Sequence, residues 1–437
     1  MLNTRYVREH IEEIRSSLER RKSDFPIDEL LELDRRWRAD QAASQKLHAE
    51  RNRRSLEVAK LKKSGEDAGA LVSDLARLKK EITAVDASLA SYSKRIDELL
   101  WSMPNVLDRH VPYGESEEQN VEIRKWGKVD ELRGSAGHEE ILERLGMLEI
   151  AQAASVAGAR FYYLKGEIAL LELALIRFAV DELARKGYTP ITPPFMLRRE
   201  FYRGATSLAD FEEALYRVAE PAEASSKEDY ERLTNELYLI STSEHAIAAL
   251  HAGEVLRYGD LPKRYAGISP CFRREAGSRS KDTKGIFRVH QFYKVEQYVF
   301  CKPEESEGLF YELLENTESL VQALGLPYRV LEFCTGAIGT VASRKNDVEV
   351  YMYGQGAYRE IGSCSNCTDW QSLRLDIRYD DNGDRHYVHT LNSTAIPTTR
   401  MIVAIAEAYA NADGTITVPD ALVPYMGKDK IGAAGGR

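Results

Sequence analysis

Apolar side chains between residues 71 and 99 recur in alternating steps of four and three: Leu71, Leu75, Leu78, Ile82, Val85, Leu89, Tyr92, Ile96 and Leu99. Such spacing keeps every one of them on a single helical stripe, and no proline interrupts it, so the run predicts a long helix with a heptad seam. Upstream, Leu33, Trp37, Leu47, Val58 and Leu61 keep the same phase, with Asp40, Ser44, Arg51 and Arg54 at the seam positions between them. The polar turn Ser64-Gly65-Glu66-Asp67-Ala68-Gly69 separates the two runs. Two helices joined by so short a connection pack antiparallel. Each spans roughly 30 residues, which at 1.5 Å per residue makes a hairpin on the order of 45 Å long. Arg51 and Arg54 should loosen the seam and run their stems outward. Pro104 disfavours helix at the residue before it and closes the hairpin.

A two-helix hairpin has one seam and too little core for a globular domain, so it is expected to extend from one. Beyond residue 105 the pattern changes. Glu167–Lys186 is an amphipathic helix ended by Gly187. Short alternating runs follow at Tyr265–Ile268, Phe287–Phe300, Asp347–Tyr353 and His386–Leu391, with a helical stretch at Glu304–Leu324 and a final apolar helix at Met401–Tyr409. Strands that succeed one another without regular intervening helices favour an antiparallel sheet over a doubly wound parallel one. The predicted fold class is α+β: a helical arm over residues 1–104 and a second domain over 105–437, an antiparallel sheet flanked by helices. Residues 220–231 look like an exposed loop, and the glycine-rich tail from Ile431 to Arg437 should be loose.

Charge narrows the picture. The chain of 437 residues carries 60 Lys and Arg against 69 Asp and Glu. A whole-molecule basic field for a polyanion is therefore absent, and any nucleic-acid contact must be a local patch. One such patch exists. Residues 46–63 hold Lys46, Arg51, Arg53, Arg54, Lys60, Lys62 and Lys63 against only Glu50 and Glu57. Lys46, Arg53 and Lys60 are seven apart and share a helix face. Taken alone, such a stripe reads as a solvated surface; it is also what phosphate binding requires. No apolar run approaches the 20 or so residues of a membrane span. The first residues, MLNTRYVREHIEEIRSS, include acidic side chains and lack an apolar core, so no secretory signal is expected. Five scattered cysteines fit a reducing cytoplasm better than a disulfide framework.

Candidate chemistry concentrates between Cys271 and Glu296. Arg273 and Glu275 end one strand-like run, a polar loop follows from Gly277 to Gly285, and the chain returns with Arg288, Phe292 and Glu296 at even spacing. On a strand, even spacing places side chains on one face. Arginines, an aromatic ring and a carboxylate on one surface suit a polyphosphate, a base and an amine. An edge hairpin with its charges in solvent would look similar. No P-loop and no G-x-G-x-x-G after a strand occurs, so phosphates would be held by side chains.

Five segments in order then resemble the seryl-tRNA synthetases, a class II family. Residues 271–296 are similar to motif 2 in its seryl form. Gly187-Tyr-Thr-Pro-Ile-Thr-Pro-Pro194 is similar to motif 1, the dimer element. Thr242-Ser243-Glu244 is similar to the serine-pocket T-x-E. Glu360-Ile361-Gly362-Ser363-Cys364-Ser-Asn-Cys367 is similar to the seryl E-[IV]-x-S-C-S-N-C segment. Asn392-Ser-Thr394-Ala-Ile-Pro-Thr-Thr-Arg400 resembles motif 3 in its archaeal and eukaryotic-like form, without the two glycines of the bacterial one. The heptad hairpin stands where the family carries its tRNA-binding arm.

The resemblance implies a cytoplasmic homodimer that activates L-serine with ATP and Mg²⁺ and charges tRNA(Ser), and also tRNA(Sec). It implies that Arg273, Arg400 and Glu296 are catalytic. Arg273 would bridge the serine carboxylate and the α-phosphate, and Arg400 would hold a γ-phosphate bent back over the adenine. Arg274, Glu275, Arg288, Val289, Phe292 and residues Glu360 to Ser363 would complete the ATP site, with Phe292 stacked on adenine. Glu360 and Ser363 would offer hard oxygens to Mg²⁺. Thr242, Ser243, Glu244, Arg273, Glu296, Asn392 and Thr394 would hold serine, and Lys46, Arg53 and Lys60 would grip tRNA.

Other readings are less well served. A ligase loading an amino acid onto a carrier-protein thiol would lack the long arm. An inactive RNA-binding scaffold would have a broken motif, yet Arg273, Glu275, Arg288, Glu296, Glu360 and Arg400 are intact. Cys364-x-x-Cys367 suggests zinc, but the second ligand pair is missing and none is expected. His245, His290, His386 and His389 read as packed or hydrogen-bonded, and Trp37 as seam core.

Overall fold

The computed structural model describes residues 4–130, 136–218, 237–274 and 285–432. Residues 220–231, Glu275, most of the 277–285 loop and the tail beyond 432 lie outside the described residues. The chain divides into two compact units, Met1–Pro104 and Asn105–Arg437.

Among the described residues the first unit has four helices: α1 (Thr4–Glu9), α2 (Ile11–Arg20), α3 (Ile27–Ser64) and α4 (Gly69–Ser102). The two long ones have 38 and 34 residues, somewhat more than the periodic runs alone imply. Gly65 caps α3 in the left-handed conformation (φ 79°), which costs a glycine nothing. All nine seam positions of α4 are buried or half-buried. Cross-links fix the antiparallel register: Trp37 Nε1 donates to Ser93 Oγ (2.9 Å), Ser44 Oγ to Asp86 (3.0 Å), and Arg54 bonds Asp74 (2.6 Å). Arg54 therefore does not run outward as expected. It spans the seam to Asp74 and also pairs with Glu50, so two acids near the tip recruit it. Lys46, Arg53 and Lys60 are exposed. The short helices α1 and α2 gave no periodic signal, having too few turns. Arg8 of α1 bonds both oxygens of the buried Asp34 of α3 (2.8 and 2.7 Å).

The second unit is built on an eight-stranded sheet: β1 (Val121–Trp126), β2 (Thr189–Ile191), β3 (Lys263–Phe272), β4 (Gln291–Cys301), β5 (Tyr328–Glu332), β6 (Arg344–Met352), β7 (Ala357–Thr368) and β8 (His389–Pro397), in the spatial order β1-β5-β6-β7-β8-β4-β3-β2. All neighbours are antiparallel except β2, which runs parallel to β3. Helices α5 (His138–Arg144), α6 (Gly166–Arg185), α7 (Ser243–Ala248), α8 (Ser306–Ala323) and α9 (Thr398–Tyr409) complete the frame used below. The core gathers apolar faces of α6, α8 and α9 against Val295, Val299, Val330, Val348, Val350 and Leu391 of the sheet. Gln297 points to the same side and is satisfied by Leu313 O, Thr317 and Asn316. On the other face, Tyr298 and Phe300 pack in a second apolar cluster with Ile247 and Leu375, while Lys294, Glu296, Glu360, Ser363 and Thr394 line a cleft.

Two expected strands differ in detail. The run from Phe287 begins as a turn and becomes strand only at Gln291. The run His386–Leu391 breaks at Val388: Asp384–Tyr387 pairs in a separate small sheet, and β8 starts at His389.

Candidate active site

Strand parity builds the cleft. On β4, Phe292, Lys294 and Glu296 share one face, as alternation requires. A bulge in β8 at Ala395 sets Thr394 directly across from Glu296. A second bulge, at Ile361 of β7, changes parity there. Glu360 and Ser363 then lie opposite Glu349 and Asp347 of β6 and reach the same face although they are three apart. The result is a cavity of about 480 Å³ whose walls include Glu244, Arg273, Glu296, Glu360, Thr394 and Arg400.

Around Glu296 the walls select polar groups. Glu296 is buried and pairs with the buried Lys294, whose ammonium also reaches Thr394 Oγ1 (3.5 Å). Thr394 Oγ1 donates to Glu296 (3.2 Å). Glu244 projects from the first turn of α7, where Thr242 caps the helix by accepting the Glu244 N–H (3.3 Å). Gln371 donates to its carboxyl (3.0 Å). Burial and the neighbouring charge of Glu296 push Glu244 up to about 7, against the opposing pull of Lys294, Gln371 and Arg273.

Around Glu360 the walls are cationic. Arg400, in the first turn of α9, donates to Glu360 O (2.8 Å) and stands 3.3 Å from its carboxylate. Burial alone would raise Glu360, but Arg400, Lys345 and Arg273 overcome it and hold the group well below the usual carboxylate range. Asp347 behaves oppositely: burial and the charge of Glu360 lift it above that range. Its Oδ1 is buried without a hydrogen bond, and the Lys345 ammonium stands 3.6 Å from it. The Phe287 ring lies beneath Arg400 (5.1 Å) and Arg359 (4.6 Å). Arg273 lines the same cavity and acts electrostatically on both Glu244 and Glu360. Its Nε donates to Ser241 O (3.4 Å), and its guanidinium lies 5.5 Å from the Phe292 ring.

Thr242, Glu244, Arg273, Arg288, Val289, Phe292, Glu296, Glu360 to Ser363, Asn392, Thr394 and Arg400 all line this one cavity. Arg288 arrives from the turn before β4, not from the strand face that its spacing suggested. Ser243 and Arg274 are not among the lining residues: Ser243 Oγ faces Gly267, and the Arg274 N–H bonds Ala214 O. Glu275 lies outside the described residues. Asn392 also donates to Cys367 Sγ (3.6 Å).

Sequence reasoning passed over Lys294, although the alternation that selected Phe292 and Glu296 selects it equally. Lys345, Asp347 and Phe287 carried no local signal, because their place depends on the β6–β7 register and on the turn before β4. His245 lines the cavity rather than only packing, with Nδ1 buried and unpartnered and the ring against Tyr202. His290 bonds Tyr216 (2.8 Å), and His389 bonds Ser306 (3.0 Å).

Glu360 and Ser363 offer hard oxygen donors that suit a hard cation, with Asp347, whose Oδ1 faces the Lys345 ammonium at 3.6 Å, behind them. Among the described residues no three His, Cys, Asp or Glu side chains form a cage. Magnesium bound through phosphates needs none, since one or two carboxylates suffice. Cys364 Sγ meets Phe310 O and Cys367 meets Asn392, and burial raises both thiols. Among the described residues no helix is long and apolar enough to cross a membrane.

Comparison with known proteins places this cavity in context. The family model "tRNA synthetase class II core domain (G, H, P, S and T)" matches residues 223–409, and "Seryl-tRNA synthetase N-terminal domain" matches residues 1–107. A serine–tRNA ligase of Pyrococcus abyssi is 45% identical, covering 99% of this chain and 97% of that protein. The crystal structure of seryl-tRNA synthetase from Pyrococcus horikoshii complexed with ATP aligns at TM-score 0.90 and 43% identity over 99% of both chains. The cytoplasmic serine–tRNA ligase of Naegleria fowleri, in complex with AMP, aligns at TM-score 0.84 and 34% identity, over 96% of this chain and 95% of that one.

Proposed function

The chain belongs to the seryl-tRNA synthetase family, and from that premise we propose how its residues divide the work of activating L-serine with ATP and charging tRNA(Ser). One observation carries the assignment: a single cavity joins the polar cluster Lys294–Glu296–Thr394 to the Arg400–Glu360 pair, with Arg273 in its wall.

Serine binds at the Glu296 end. Glu244, when ionised, and Glu296 receive its ammonium, while Thr394 and Asn392 meet its hydroxyl. A buried site that hydrogen-bonds a hydroxyl rejects alanine strongly, because its polar groups would otherwise go unpaired; threonine is excluded by size. Arg273 draws the serine carboxylate toward the α-phosphate. A carboxylate oxygen bonds to that phosphorus, the bond to the β-phosphate oxygen breaks, and pyrophosphate leaves. No general base is required, since the carboxylate is already ionised. The load is positioning and charge stabilisation, which Arg273, Arg288 and Arg400 provide. Phe292 stacks on the adenine. Glu360 and Ser363 would hold Mg²⁺, which would supply neutralisation of the phosphate charge. In the second step the terminal ribose hydroxyl of tRNA bonds to the adenylate carbonyl carbon and AMP departs.

The arm, through Lys46, Arg53 and Lys60, holds tRNA(Ser), and tRNA(Sec) where the cell makes it. Two chains associate through the 187–194 segment and α6, a reading supported by Leu170 and Leu173, 52% and 61% exposed on the α6 face away from the core. ATP–pyrophosphate exchange across a panel of amino acids tests the assignment.

A further inference from the structure

His138 and Glu407 lie outside the cavity, yet they are tied to its wall. Glu407, on the buried helix α9, is 1% exposed at its side chain, and His138, at the start of α5, is 7% exposed. A carboxylate so buried needs its acceptors filled. Three donors do so: His138 Nδ1 (3.0 Å), the His138 backbone N–H (3.2 Å) and the Gly354 N–H (2.9 Å). The far nitrogen of the imidazole, Nε2, accepts the Ile286 N–H (3.1 Å). A ring nitrogen that accepts an N–H carries no proton, so the proton sits on Nδ1 and is donated to Glu407. One neutral tautomer, fixed at both ends, thus joins α9, α5, the 353–356 turn and the chain returning toward β4. The fit is close. A Cβ on Gly285 (φ 69°) would lie 2.0 Å from His138 Nε2. The two residues after Ile286 are Phe287 and Arg288, both in the cavity wall, with Phe287 beneath Arg400.

We propose that His138, held by Glu407, is a positioning residue for the ATP half of the site: its bond to Ile286 sets where the returning chain places Phe287 and Arg288. Among the described residues His138 bonds Glu407 and Ile286, neither at the Glu296 end, so serine binding should not depend on it. The proposal rests on the reading of that half as the ATP site. The parent enzyme's own exchange tests that reading, and the ratio of variant to parent tests this one.

The experiment is ATP–pyrophosphate exchange with full-length His138→Ala, His138→Asn and His138→Gln, with KM for ATP and for serine measured separately and melting temperature recorded. Asparagine keeps a donor for Glu407 near the Nδ1 position but cannot reach Ile286. Glutamine offers an acceptor near the Nε2 position. Orphaning a buried N–H predicts a rise of about tenfold in KM for ATP in the Ala and Asn variants, with serine KM within about twofold of the parent. Glutamine should recover most of that rise. An unchanged ATP KM in the Asn variant, equal rises in both KM values, or a Gln variant no better than Asn would overturn the proposal. If His138→Ala does not fold, the Asn and Gln pair decides alone.

Discussion

Glu244 sits among groups that contest its charge: Glu296 repels a second negative charge, while Lys294 and Arg273 favour one. With its titration raised to about 7, the native protein binds a proton that the unfolded chain releases near 4.3, so this group costs folding stability as pH rises through that window. For function the sign is the reverse. Below neutrality Glu244 is uncharged and pairs poorly with the serine ammonium. KM for serine should therefore rise by several-fold from about pH 8 to about pH 6, while Glu244→Gln should give a high, nearly pH-independent value. A serine KM flat over that range in the parent would contradict the role given to Glu244. Arg273→Ala should lower exchange by on the order of 10², as removal of a preorganised charge contact does, with the melting temperature nearly unchanged. Exchange at the parent rate would show that the α-phosphate lies elsewhere. At this scale much was legible. The residues flanking the polar loop declared their types and spacing, and Phe292 and Glu296 lie on the predicted face. A spacing of four steps over Lys294, which the strand period of two places on the same face.

Among the elements, legibility followed the strength of the period. The α4 seam repeats over four heptads and could be read directly. Strand β7 could not, because its sequence, AYREIGSCSNCT, alternates poorly. It is held in place by β6 and β8 and reset by the bulge at Ile361. Edge strand β1 was equally silent: all its residues are exposed, so no buried face marks it. The arm makes a prediction of its own. Cross-seam bonds at Trp37–Ser93 and Glu29–Arg95, and the Arg8–Asp34 pair, stabilise the lower part of the hairpin. Replacing residues 45–85 with a short glycine-serine turn removes Lys46, Arg53 and Lys60 and leaves those bonds intact. Pyrophosphate exchange should stay within about twofold, while KM for tRNA rises at least about tenfold. In the intact protein, tRNA affinity should fall steeply with salt while serine and ATP affinities change little. Charging unaltered by the replacement would leave the basic face without a role.

For the molecule as a whole, the α+β class and the change of pattern near residue 104 follow from periodicity, and the family follows from five ordered segments. The order of the eight strands was not legible, because it is set by pairings between residues tens of positions apart that no local pattern announces. Light scattering at micromolar concentration should give the mass of two chains; a single-chain mass would refute the dimer and leave Leu170 and Leu173 uncovered. The central claim is that this cavity recognises serine and joins it to the α-phosphate of ATP. ATP–pyrophosphate exchange by the full-length protein, with Mg²⁺ and each amino acid in turn, tests it most directly. Strong exchange with serine, weak exchange with threonine, and exchange with alanine or glycine lower by at least about 10³ are the expected results. Exchange with alanine or glycine equal to that with serine would contradict the account.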